Sequence, residues 1–136
     1  MPVDSDAELR EILGMETVAV VGCSSTEGKD AHEIPKYLRD HGYDVIPVNP
    51  YADEIFGREV SDSLSDVAED IDIVDVFRPS EEVAGIVDQA IEREDVKVIW
   101  TQLGIRDDAA AEKAEDAGKR VVQDKCMKVE HQRLVA

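Results

Sequence analysis

Large rings are scarce in this chain: one Trp, three Tyr and two Phe among 136 residues. A core must therefore be assembled from Val, Ile, Leu and Ala. Basic residues are also few, 15 Lys and Arg against 32 Asp and Glu, which leaves a formal net charge of −17. That balance excludes a general nucleic-acid binder, whose affinity comes from basic surface that displaces counterions. No apolar run approaches the ~20 residues that a membrane-spanning helix needs. The first residues also lack the basic-then-apolar pattern of a secretory leader. A cytoplasmic protein with no membrane association is the expectation. Cys23 and Cys126 lie far apart without a C-x-x-C spacing, and three scattered His do not complete a metal site with them. Two reduced thiols are expected.

What is present points to one folded domain over residues 1–136: 43% of the residues are hydrophobic, and the apolar positions are regularly spaced. That regularity separates the chain from acidic disordered segments. The acidic excess fits a halophile's solvated surface, self-repelling at low salt and screened at high salt.

The most informative stretch is Thr17–Ser25, TVAVVGCSS. An unbroken, largely β-branched run suits a strand covered on both faces, as in a parallel sheet. It stops at Gly22 and enters a small, hydroxyl-rich loop, after which a helical period begins near Asp30. Strand, Gly/Ser loop and helix together aim backbone N–H groups and a positive helix end at an anion, usually a phosphate.

The rest of the chain repeats the alternation. Leu9, Ile12 and Leu13 mark a short amphipathic helix capped by Ser5 or Asp6. A helix over about 31–41 has Asp30 and Glu33 at capping-box spacing, Pro35 in or near its first turn, and Gly42 at its end. Strands are expected at 44–48, 71–77, 96–101 and 120–123. Pro47 is placed where the second strand leaves the sheet, and Asp72 and Asp75 are expected to face loops or solvent. Residues 51–70 read as a loop with a short turn or helix at 65–69. Ser80 is expected to cap a helix that carries Glu81 and Glu82 in its first turn, and Asp107 or Asp108 to cap another. A final short helix is expected from Cys126 to Leu134. The fold class that follows is α/β: a Rossmann-like, doubly wound, parallel five-stranded sheet in three layers, α/β/α. Ligands of such sheets sit at the carboxyl ends of the strands, which here are 22–29, 49–51, 77–79, 102–105 and 124–126.

The first loop is not a P-loop. It has one residue too many between Gly22 and Gly28, and Asp30 stands where a magnesium-binding Ser or Thr belongs. G-x-G-x-x-G is absent as well, and the second strand ends in Asn49-Pro50 rather than in an acid that would hold a ribose.

Several motifs in order, Val20-Val21-Gly22-Cys23-Ser24-Ser25, Tyr37-Leu38, His41-Gly42-Tyr43, Val45–Pro50, Asp72–Pro79, Trp100–Ile105 and Asp124–His131, resemble a known family. They are similar to stand-alone CoA-binding domain proteins and to the CoA-binding domain of the succinyl-CoA synthetase α subunit. The resemblance covers nearly the whole chain. It implies a Rossmann-like fold with coenzyme A or an acyl-CoA as ligand, and a binding module more than an enzyme. In the ligase, a phosphorylated His on a further domain performs the chemistry. Carried onto this sequence, the resemblance puts the pyrophosphate at Gly22, Cys23, Ser24 and Ser25 with Lys29 nearby. It puts Asn49 and Pro50 on the nucleotide side, and Phe77, Arg78 and Pro79 beside the ligand. Gln102 and Gly104 approach the pantetheine. Arg78, whose fork is bidentate, is the best phosphate partner. Two other readings stand beside this one. One is an NAD(P)- or other nucleotide-dependent enzyme on the same fold. The other is a mixed disulfide between CoA and Cys23, which requires an exposed thiol of lowered pKa. A homo-oligomer or a partner enzyme is left open.

Overall fold

The computed structural model describes residues 2–136. Among these residues five α-helices, α1 (Asp6–Leu13), α2 (Asp30–Asp40), α3 (Val83–Ile91), α4 (Asp108–Asp116) and α5 (Met127–Leu134), accompany seven strands. These are β1 (Thr17–Val21), β2 (Asp44–Val48), β3 (Glu54–Ile55), β4 (Arg58–Glu59), β5 (Ile73–Val76), β6 (Val98–Thr101) and β7 (Arg120–Val122). The main sheet is parallel throughout, in the order β2-β1-β5-β6-β7. Strand order reverses between β1 and β5, the topological switch point of a doubly wound sheet.

Both faces of the sheet are covered. Alternate residues of the same strands feed two cores: Val18, Val20, Ile73 and Trp100 pack beneath α1, α2 and α5, while Ala19, Val74, Val76 and Ile99 pack beneath α3 and α4. That two-sided burial is why the strands read as continuous apolar runs. Pro47 lies inside β2 but does no harm, because β2 is an edge strand.

Several local expectations need correction. Lys29, not Asp30, is the N-cap of α2; Asp30 is its first residue, and Glu33 accepts from the Gly28 amide at 3.4 Å. Pro35 lies past the first turn, so the Ala31 carbonyl loses its helical donor. The Ser24 amide takes that place at 2.9 Å, tying the loop after β1 to the helix. Residues 51–70 contain the β3–β4 hairpin, from which Arg58 reaches the Val45 carbonyl of β2 at 3.0 Å. Residues Ser80–Glu82 form a 3₁₀ turn ahead of α3, and the Ser80 hydroxyl accepts from the Arg106 amide instead of capping a helix. Ser5 and Asp107 do cap their helices, accepting from the Glu8 and Ala110 amides.

Asp75 departs most from its expected surroundings. It sits within β5, paired in register with Val20 and Trp100, and is completely buried. Neither carboxylate oxygen has a hydrogen-bond partner among the described residues. Burial drives its carboxyl well above the usual carboxylate range. Asp72 behaves differently: it accepts from the Glu16 and Thr17 amides and pairs with Lys97.

Candidate functional site

All five main strands point their carboxyl ends the same way, so the loops that follow them share one edge of the sheet. At the switch point the ends of β1 and β2, the turn after β5 and the start of α3 enclose a crevice of about 210 Å³. Its apolar lining comes from Val21, Val48, Leu64 and Ile86, and its polar groups include Asn49, Arg78, Glu82 and Gln89. Tyr51 stands at the rim with 91% of its surface exposed.

Asn49 holds the first two loops together. Its side-chain amide donates to the Cys23 carbonyl and its Oδ1 accepts from the Tyr51 amide, both at 2.8 Å. Gly22 has a positive φ of 89° and lies under the Arg78 stem, where a Cβ would come within 2.8 Å of Cδ. Gly22→Ala is therefore expected to lower stability by about 1–2 kcal/mol in urea unfolding. Arg78→Ala in the same chain should recover only the contact's share of that loss. An unchanged midpoint in the single variant would refute the strain.

The loop amides are distributed differently from the expectation. Gly22 N–H donates to Val48 O at 2.8 Å and Ser24 N–H to Ala31 O, so neither faces outward. The Ser24 hydroxyl accepts from the Thr26 amide. The amides of Ser25, Asp30 and Ala31 donate to no acceptor among the described residues. Ser25 and Lys29 are exposed, and Lys29 is unpaired among the described residues.

Of the twelve residues singled out from sequence, Gly22, Asn49, Pro50 and Arg78 meet in the crevice. Phe77 is half-buried against the core beneath, and Pro79 is exposed. Gln102 is buried and accepts from the Met127 amide at 3.2 Å, capping α5, while the Gly104 amide donates to Asp124. Cys23 contradicts its redox reading. It is fully buried, and desolvation together with the nearby Asp75 pushes its thiol up to about 12. It supplies no thiolate for a mixed disulfide. Tyr51 lies within the expected 49–51 segment but is not among the residues singled out, and Glu82 and Gln89 fall outside every such segment. An Asn-Pro-Tyr turn leaving a strand could have flagged Tyr51, whereas Glu82 and Gln89 carry no local signature.

A doubly wound parallel sheet with a crevice at its switch point is the architecture of nucleotide-binding α/β domains. The chain belongs to the CoA binding domain family, which it matches over residues 16–132. It is 39% identical over 128 residues to the uncharacterized protein YneT of Bacillus subtilis, covering 93% of this chain and 94% of that one. It is also 38% identical over 84 residues to the ADP-forming acetate–CoA ligase of Methanocaldococcus jannaschii, 62% of this chain but 12% of the ligase. Among solved structures, a hypothetical protein from Pyrococcus horikoshii OT3 superimposes with a TM-score of 0.93 at 38% identity, covering 100% of this chain and 97% of that one. The dinucleotide forming acetyl-coenzyme A synthetase 1 of Ca. Korarchaeum cryptofilum, in complex with phosphate and ADP, matches with a TM-score of 0.70 at 26% identity, 83% of this chain and 26% of that one. No described helix is long and apolar enough to cross a membrane.

Proposed function

We propose that this chain binds coenzyme A or an acyl-CoA at the switch-point crevice. The base lies against the apolar lining beside Tyr51, and the diphosphate lies on the loop between β1 and α2. The observation that carries this reading is the convergence of Gly22, Asn49, Pro50 and Arg78 on one crevice, in a chain of the CoA binding domain family. The unpaired amides of Ser25, Asp30 and Ala31 are the donors suited to the diphosphate. At ~1 M salt the Debye length falls to about 3 Å, so the field of a −17 chain is screened while contact-range donors keep their strength. The reading assigns binding and no reaction.

A thermal-shift series at high salt with CoA, acetyl-CoA, dephospho-CoA, NAD, NADP and ATP tests it. CoA at ~100 times its dissociation constant adds about 2.7 kcal/mol, a rise of several degrees in midpoint. A shift with NAD and none with any CoA compound would overturn the assignment. Arg78→Ala is expected to weaken CoA about tenfold and dephospho-CoA much less, as befits a contact to the 3′-phosphate. Equal losses for the two ligands would move Arg78 to the diphosphate.

A further inference from the structure

Among the described residues Arg78 is the only cation that lines the crevice, and it is already matched. Its Nε donates to Glu82 Oε1 at 3.1 Å and its Nη2 to Oε2 at 2.8 Å. This two-pronged pairing uses the face of the guanidinium that a phosphate would otherwise take. Glu82 lines the same crevice at the N-cap of α3, and Asp62 adds a second carboxylate. As it stands the crevice has more negative than positive groups, an unfavourable setting for an anion. Both partners are accessible, with 43% and 45% of their side-chain surfaces exposed. Their separation therefore needs side-chain rotation and no backbone movement.

We propose that Glu82 is an internal competitor for anionic ligands: its carboxylate holds the fork of Arg78 until a ligand phosphate displaces it. This rests on the CoA reading and adds to it a residue that sets affinity and selects among phosphate types. Binding exchanges an Arg–carboxylate pair for an Arg–phosphate pair. A phosphate monoester, with a charge near −2 at neutral pH, gains from that exchange. A carboxylate, or a diester phosphate with a single charge, replaces Glu82 with an equal and gains little. The crevice thus favours ligands that present a terminal monoester phosphate to Arg78.

Isothermal titration of the full chain with CoA and with dephospho-CoA, at fixed salt, tests the role in wild type, Glu82→Gln, Glu81→Gln, Arg78→Ala and Arg78→Ala/Glu82→Gln. Glu82→Gln should bind CoA about two- to fivefold tighter, the factor expected on freeing the partner of an exposed ion pair. Glu81→Gln removes the same charge one residue away, outside the pair, and should gain markedly less. The double variant should match Arg78→Ala. An unchanged or weaker Glu82→Gln overturns the competitor role. So does a gain shared by Glu81→Gln or one that persists without Arg78, since either would be a plain effect of net charge. Wild type that binds CoA with no gain in Glu82→Gln refutes this inference alone; no CoA binding by either chain refutes the reading beneath it. Thermal midpoints of the variants without ligand verify that each is folded.

Discussion

Asp75→Asn is expected to raise the stability of this protein at neutral and alkaline pH and to leave it nearly unchanged at about pH 4. The wild-type carboxyl is fully buried in the central strand, has no partner for either oxygen among the described residues, and is held neutral by desolvation. Its native pKa therefore lies above the unfolded value of about 3.9. The native chain keeps a proton that the unfolded chain releases. The contribution to stability is fully present below about pH 4 and is lost as pH rises through the native pKa. Asparagine has nearly the same shape and no proton to lose. The gap between the two proteins should widen by about 1.4 kcal/mol for each pH unit above the unfolded value until the native pKa is reached. Urea unfolding at pH 4, 7 and 9 measures it. Comparing two chains that differ at one residue cancels the opposite slopes from Asp72 and Asp95, whose carboxyls are held low by Lys97 and Arg93 and by backbone donors, which outweigh burial. Parallel pH profiles would sink the prediction.

Trp100→Ala should be the most damaging single change, at about 3–5 kcal/mol. Trp100 is completely buried in the core beneath α1, α2 and α5, and it neighbours Asp75 across the sheet. Its indole N–H donates to the Lys125 carbonyl at 2.8 Å, which secures the segment leading into α5. Since a domain of this size is stable by only about 5–15 kcal/mol, the variant would be marginal at 37 °C. Trp100→Phe separates the two contributions: most of the bulk stays, and the lost hydrogen bond should account for about 1–2 kcal/mol. A midpoint for the alanine variant within a degree or two of wild type would contradict the packing.

Asp75 also shows where pattern reading ends. In Ile73-Val74-Asp75-Val76 the alternation is apolar on both sides, so a lone acid looks as though it must escape to an edge. It cannot, because β5 is the middle strand of a sheet covered on both faces. Cys23 follows the same logic. Next to a glycine and two serines it looks exposed, yet the Asn49 link to its carbonyl and the packing of α2 bury its thiol. The β3–β4 hairpin went unnoticed because two-residue strands are too short to show a period.

Strand, turn and helix order, the parallel sheet, and the crowding of unusual residues at the strands' carboxyl ends were all written in local chemistry. β-branched runs, helical stripes and the glycines at 22, 42 and 118 act over a few neighbours, so they survive without knowledge of distant contacts. The loop amides already taken by Val48 and Ala31, the Asn49 link to the Cys23 carbonyl, and the unpartnered acid buried in β5 depend on which segments the crossovers bring together. Burial and partnership are properties of three-dimensional neighbourhoods, and no window along the chain contains them.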